Sequence, residues 1–347
     1  MRKIISLICL NLIVVLFSQA QESQFSQYYA ASLFLNPAFN GIYNEPSLHM
    51  NHKRSLQQLP VVNELTQVSF ILPIKPKGKL ERSIGGVGIM AYNEKSGIDG
   101  VFRKDAAFLN YAHNLKFGIL SSHIVSIGTQ VGYEIGSVDF SKLTWGSQYN
   151  SFYGYDDTRA APVTEFDERN GSLVVNSGIM YYYNPDRNYM LHKYSSFFGV
   201  SVTNLNRPNK SFNTISEDRQ PMIWKYNGGI EFKFKKIFAT PSLLALYTRG
   251  DVQFNAGLNI AYVPKATRFN ALGSQLLFGL WYRLRDSFIF MGGFKYNTIT
   301  VRGSFDLNSK LFTPERAVSI SQNSAEISIQ YSLSNGGGVR KASNPLF

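Results

Sequence analysis

The chain has 347 residues, a formal charge of +12 from 35 Lys and Arg against 23 Asp and Glu, and 14% aromatic residues. Its one cysteine, Cys9, excludes a disulfide framework and a thiolate metal cluster. The cations are scattered singly, which excludes the concentrated basic face that a nucleic-acid partner needs.

The first element, "MRKIISLICLNLIVVLFSQA", has a basic start at Arg2 and Lys3, an apolar run from Ile4 to Phe17, and small residues Ser18 and Ala20. It reads as a secretory signal peptide over residues 1–20, cut after Ala20, because the apolar run is too short to cross a bilayer of roughly 30 Å. Cleavage takes Arg2, Lys3 and Cys9 away, leaving a formal charge of +10 and no thiol nucleophile. Residues 21–46 follow, crowded with Phe25, Tyr28, Tyr29, Phe34, Leu35 and Phe39 in a spacing that fits neither a helix nor a strand.

From residue 47 the dominant period is two. In "DVQFNAGLNIAYV", Val252, Phe254, Ala256, Leu258, Ile260 and Tyr262 oppose Gln253, Asn255, Gly257, Asn259 and Ala261. "WKYNGGIEFKF" and "AEISIQYSL" split the same way, so these are strands. The pattern predicts strands near 47–58, 63–74, 83–93, 101–117, 121–136, 171–184, 194–205, 222–236, 237–248, 251–263, 273–283, 286–297, 298–307 and 323–333. The segment 101–117 alternates least well. Most segments run 10 to 15 residues; a soluble strand has about 5 to 6, while a tilted membrane strand needs roughly 9 to 11. The expected fold is therefore an all-β, transmembrane, antiparallel up-and-down barrel of about 14 strands over 47–333. The longest connections, near 137–170, 206–221 and 308–322, all follow odd-numbered strands, as expected where those connections face outward and the even-numbered ones are tight. Residues 334–347 read as a periplasmic tail ending in Phe347, an aromatic end suited to barrel assembly.

No catalytic constellation emerges. His49 and His52 form an H-x-x-H pair, but residues three apart on a strand point to opposite faces, so no metal is expected there. There is no G-x-S-x-G elbow, and His113, His123 and His192 stand apart from any triad spacing. Asp156, Asp157, Asp167 and Glu168 in the longest loop lack a calcium-loop spacing. "GGVG" (Gly85 to Gly88) has no helix after it, so it predicts tight curvature or close packing against something in the lumen. The chain reads as a non-enzyme without a cofactor.

The stretch "QFSQYYAASLFLNPAFNG", with Gln24, Phe25, Ser26, Gln27 and Tyr28 and then Asn36, Pro37, Ala38 and Gly41, resembles the mature start of the PorP/SprF family of outer-membrane proteins of the type IX secretion system. The resemblance continues in order through "HKRSLQQL" (Arg54, Gln57), "TQVSFILPI", "GGVGIMAYNEKSGIDG", "LNYAHNL", "SGIMYYYN", "FFGVSVTNLNRPN", "LFGLWYRLRDS" (Tyr282, Arg283, Asp286) and "NSAEISIQYSL" (Glu326). Arg54, Gln57, Tyr282, Arg283, Asp286 and Glu326 are expected at lumen or turn positions. Two departures stand out: Ala325 where His is expected before Glu326, and "GSFDLN" in place of a more tyrosine-rich pattern. The resemblance implies a protein-export or gliding-motility component of a Bacteroidetes-type outer membrane, in contact with outer-membrane lipid and with periplasmic and translocon subunits. Some members resemble core components and others dedicated helpers of one large secreted adhesin.

About eight strands fill a barrel with side chains, and 16 to 18 leave an aqueous channel, so fourteen leave space to fill. Residues 22–44 are expected to fold into that lumen or close its inner mouth, with Pro37 and Gly41 making turns and Asn36 satisfying backbone groups. The alternative is a FadL-like outer-membrane transporter of hydrophobic solutes, a barrel of the same strand count that also carries an N-terminal plug.

Overall fold

A computed structural model describes residues 24–56, 61–75, 83–118, 122–150, 152–156, 158–159, 167–183, 194–213, 217–234, 236–264, 274–308 and 323–333. Alternating side chains require a sheet with two different solvents, and a sheet closed on itself provides them without leaving an unpaired edge. The chain forms fourteen barrel strands: β1 Ser47–Ser55, β2 Val61–Ile74, β3 Gly85–Ile98, β4 Phe102–Phe117, β5 His123–Val138, β6 Arg169–Tyr183 and β7 Tyr194–Thr203. They continue as β8 Ile223–Phe234, β9 Ile237–Thr248, β10 Asp251–Tyr262, β11 Ser274–Arg283, β12 Ser287–Tyr296, β13 Ile299–Asn308 and β14 Ser324–Ser332. Each strand pairs antiparallel with its sequence neighbours, and β1 closes the ring by pairing β14 as well as β2, with Leu48 opposite both Tyr331 and Phe70. Leu333 N donates to Pro46 O at 2.7 Å, closing the seam at the mouth where the chain enters the wall. That end is the N-terminal mouth; odd-numbered connections lie at the far mouth.

On β8, Tyr226, Ile230, Phe232 and Phe234 face out, whereas Lys225, Asn227 and Glu231 are buried toward the lumen. On β14, Ile327, Ile329 and Tyr331 face out against Glu326, Ser328 and Gln330. The outward apolar face of β4 runs from Phe117 to Ala107, interrupted by the exposed His113. Its about ten residue steps at ~3.4 Å, tilted by ~40°, cover about 25 Å, the height of an outer-membrane apolar band. Above it the outer wall turns polar, with Arg103–Asp105 at 2.7 Å and Arg54–Glu64 at 3.2 Å.

The connections differ from the simple odd-long, even-tight scheme. The far-mouth connections after β5 and β7 are long, but those after β9 and β11 are the tight turns 249–250 and 284–286. The first uses Gly250, at φ 93, for the left-handed position. At the N-terminal mouth, 75–84, 184–193 and 263–273 are long as well. In the long connection after β5, residues 149–150 and 154–155 pair as a small hairpin. Gln57, residues 1–20, the tail 334–347 and Phe347 lie outside the described residues.

Candidate functional site

The lumen is filled by the chain's own N-terminal segment. Phe25, Tyr28, Tyr29, Leu33, Leu35 and Phe39 are all 7% exposed or less. The segment makes two single-turn helices, α1 Ser32–Leu35 and α2 Phe39–Ile42. Asn36 separates them: it is extended at φ -154, its side-chain Oδ1 accepts the N–H of Ala38 at 2.9 Å, and Pro37 starts the next turn. Such short helices leave most of their carbonyls without internal partners, and a buried carbonyl must find one. The wall supplies them: Lys225 Nζ donates to Phe34 O at 3.1 Å, Ser201 Oγ to Leu35 O at 2.7 Å and Ser126 Oγ to Ala38 O at 2.7 Å. Asn114 Nδ2 donates to Gly41 O, and Ser83 Oγ to Tyr43 O at 3.0 Å. Asn36 Nδ2 returns the favour, donating to Ile179 O at 3.2 Å and Val200 O at 3.4 Å.

Close seating requires a wall without side chains at the contact. A Cβ on Gly128 would lie 2.5 Å from the Pro37 carbonyl carbon and 2.7 Å from Ala38 Cα. On Gly88 it would meet Asn40 Oδ1 at 3.0 Å and Leu33 Cδ1 at 3.1 Å, and on Gly199 it would meet Asn36 Nδ2 at 3.0 Å. The lumen packing expected of "GGVG" is thus a contact with α1 and α2.

The other end of the segment is held by charge, in the far half of the lumen. Ser26 N donates to Glu326 Oε2 at 2.6 Å, and Ser26 Oγ donates to Asp306 Oδ2 at 2.5 Å while accepting from Lys53 Nζ at 2.7 Å and Arg283 Nη2 at 3.3 Å. Lys53 pairs with Asp306 at 3.2 Å, and Arg283 with Asp286 at 2.8 Å. Gln27 Nε2 donates to Ser304 Oγ at 3.1 Å, and Gln27 Oε1 accepts from Ser328 Oγ at 2.8 Å. The chain therefore runs from the charged cluster near the far mouth down to the N-terminal mouth before entering β1.

Aromatic contacts join the two ends. Tyr28 meets Trp281 edge-on at 5.2 Å, Tyr29 stacks on it at 6.0 Å, and Phe34 bridges Phe25 at 5.3 Å and Tyr92 at 5.4 Å. Burial, only partly offset by Ser242, by the Arg302 charge and by Ser32 respectively, pushes the phenols of Tyr28, Tyr29 and Tyr43 well above the ordinary tyrosine range.

Above the segment, toward the far mouth, a vestibule of about 350 Å³ opens outward with Phe34 in its floor. Its walls carry two ion pairs, Glu94–Lys104 at 3.1 Å and Glu134–Lys210 at 2.5 Å. Lys210 comes from the connection after β7, which folds over the mouth.

Of the residues singled out from sequence, Gln24, Phe25, Ser26, Gln27 and Tyr28 gather with Arg283, Asp286 and Glu326, while Asn36, Pro37, Ala38 and Gly41 form the glycine-seated end. Arg54 points out of the barrel toward Glu64, and Tyr282 also faces out, its hydroxyl accepting the N–H of Arg285 at 3.3 Å. Lys53 and Trp281 lay inside stretches that resemble the family and Asp306 in one that departs from it, but none of them, nor Gly128, was marked individually in the sequence beyond its lumen-side parity. His49 and His52 point to opposite faces: His49 packs on Ala30 O at 3.3 Å inside, and His52 reaches Thr66 at 2.8 Å outside. Asp156 closes a local turn onto Thr158. Among the described residues no group of three His, Cys, Asp or Glu could hold a metal ion.

No curated protein matches the chain. Among solved structures it is similar to the toluene transporter TbuX of Ralstonia pickettii, at 10% identity over 87% of this chain and 93% of that one with a TM-score of 0.49. It is similar also to the toluene transporter TodX of Pseudomonas putida (9%, 87% and 93%, 0.47) and to the KdgM porin (8%, 83% and 99%, 0.38). A family profile described as type IX secretion system membrane protein PorP/SprF matches residues 17–331, nearly the whole chain. The chain belongs to the PorP/SprF family of type IX secretion system membrane proteins.

Proposed function

We propose that the chain is a non-enzymatic platform of type IX secretion, inserted in the outer membrane after removal of residues 1–20. In this reading the apolar band meets lipid, the N-terminal mouth faces periplasmic subunits, and the far mouth meets the translocon or a large secreted adhesin. The observation that carries it is the occupied lumen: residues 24–43 are buried and tied to the wall at both ends, which suits a barrel that presents surfaces to partners. The wall around the segment mixes apolar side chains with charged and amide groups such as Lys53, Asn114, Arg283, Asp306 and Glu326, and the latter disfavour passage of a hydrocarbon, because each would lose water without a partner.

The test is deletion of the gene. Loss of type IX-exported surface protein with unchanged uptake of a hydrophobic compound supports the platform. Impaired uptake with normal export supports the FadL-like alternative. Complementation with a chain lacking residues 24–43 then asks whether the segment itself is needed.

A further inference from the structure

We infer that the far-mouth vestibule is a binding site for a neutral, polyhydroxylated ligand, a carbohydrate unit of one or two rings. The inference goes beyond the secretion role and does not depend on it. At about 350 Å³ the cavity lies at the small end of ligand sites, which run from about 300 to 1,000 Å³. Its polar wall contains a short amide relay: Asn176 Nδ2 donates to Gln130 Oε1 at 2.8 Å, and Asn204 N donates to Asn176 Oδ1 at 3.0 Å. The relay leaves Gln130 Nε2, in a side chain 2% exposed, with only the Met90 sulfur at 3.9 Å, a weak acceptor. Thr248 Oγ1, also in the lining, is buried with no partner among the described residues. An amide donor and a hydroxyl, both short of partners, match a ligand whose hydroxyls donate and accept together.

The remaining chemistry narrows the class. Tyr92 and Phe108 lie stacked at 6.0 Å, with Phe34 edge-on to Tyr92, giving an aromatic and apolar floor for the C–H face of a sugar ring. Glu94 pairs with Lys104 and Glu134 with Lys210 on the wall, Arg249 faces Asp218, and Lys225 and Asp251 complete a lining that carries both signs, so charge of one sign is not what the site reads. A peptide added as a further strand would need an unpaired sheet edge, which the closed barrel lacks, so strand addition is not how this site is filled. A hydrocarbon would strip water from the ion pairs and amides without replacing it.

The experiment is ligand-observed saturation-transfer NMR on the purified barrel, held in an amine-oxide detergent so that no sugar headgroup competes, with maltose, cellobiose and lactose as probes. The expected result is saturable transfer to at least one probe, weakened at least tenfold in Gln130→Leu and in Thr248→Val. Thr248→Val removes a hydroxyl that has no partner among the described residues, so it reads binding even where Gln130→Leu disturbs the relay. Absence of saturable transfer to all three probes overturns the proposal, as does equal transfer with the Thr248→Val protein.

Discussion

Replacing Gly128 with Ala separates a seated segment from a loosely placed one. The added methyl would press on the Pro37 carbonyl carbon at 2.5 Å and on Ala38 Cα at 2.7 Å, against an ordinary carbon contact of about 3.5 to 4.0 Å. Both atoms belong to backbone pinned by Asn36 and Ser126, so either the segment or β5 must move by on the order of 1 Å. Overpacking of this kind costs about 1–3 kcal/mol. In a strand facing open space the same change gains about 0.5–1 kcal/mol, because Gly is the poorer strand residue. The sign thus depends on whether the segment is there. A Cys at Ser32, which is fully buried in α1, reports the answer through its rate of maleimide labelling. A cost of about 2 kcal/mol raises the exposed population roughly 30-fold, and labelling in Gly128→Ala should rise by that order. Gly292→Ala, where a Cβ meets nothing within 4 Å, serves as the control and should leave labelling unchanged. Equal labelling in Gly128→Ala and its parent, with an unchanged or higher melting temperature, refutes the seating argument.

Asn36→Leu removes the donor to two wall carbonyls and the acceptor for Ala38 N, and should lower stability by about 1–3 kcal/mol in thermal melts of the folded barrel. Asp306→Asn takes from Lys53 its carboxylate partner beside Ser26, while Arg283 keeps Asp286, and should cost about 3 kcal/mol, the low end for breaking a buried pair. The exposed pair loses at most about 1 kcal/mol in Arg103→Ala, and the two melts compared directly check the difference. The phenols of Tyr28, Tyr29 and Tyr43 are raised above their unfolded value, so their stabilising contribution is complete below about pH 10 and drains away as pH climbs beyond it. Ultraviolet difference titration should show three tyrosines that ionise only as the barrel unfolds.

The strand pattern was legible because lipid and lumen impose opposite chemistries on alternate residues, as on β8, β10 and β14. It faded on β4 for a physical reason. The inward residues there include Ala106, Phe108 and Ala112, apolar side chains where the pattern expects polar ones. The N-terminal segment was legible as a lumen filler from its surplus of large apolar residues, and Asn36–Pro37 as its turn. What receives the segment was not legible. Ser26 and Glu326 lie 300 positions apart, and only barrel closure brings them together. Asp306 sits in "GSFDLN", which stood out in sequence only as a departure from the family pattern, yet it is the carboxylate on which Ser26, Lys53 and Arg283 converge. Gly128 likewise reads as one more strand glycine until Pro37 and Ala38 lie against it. The connection lengths were half legible: long far-mouth connections after β5 and β7 were evident, but tight ones after β9 and β11 share that mouth.

The central claim is that residues 24–43 close this barrel. Conductance of the purified full-length protein in planar lipid bilayers tests it most directly. The account predicts no steady open channel for the intact chain and an open, ohmic channel when residues 24–43 are deleted from a barrel that still inserts. A stable porin-like conductance from the intact protein, equal to that of the deletion, would contradict it.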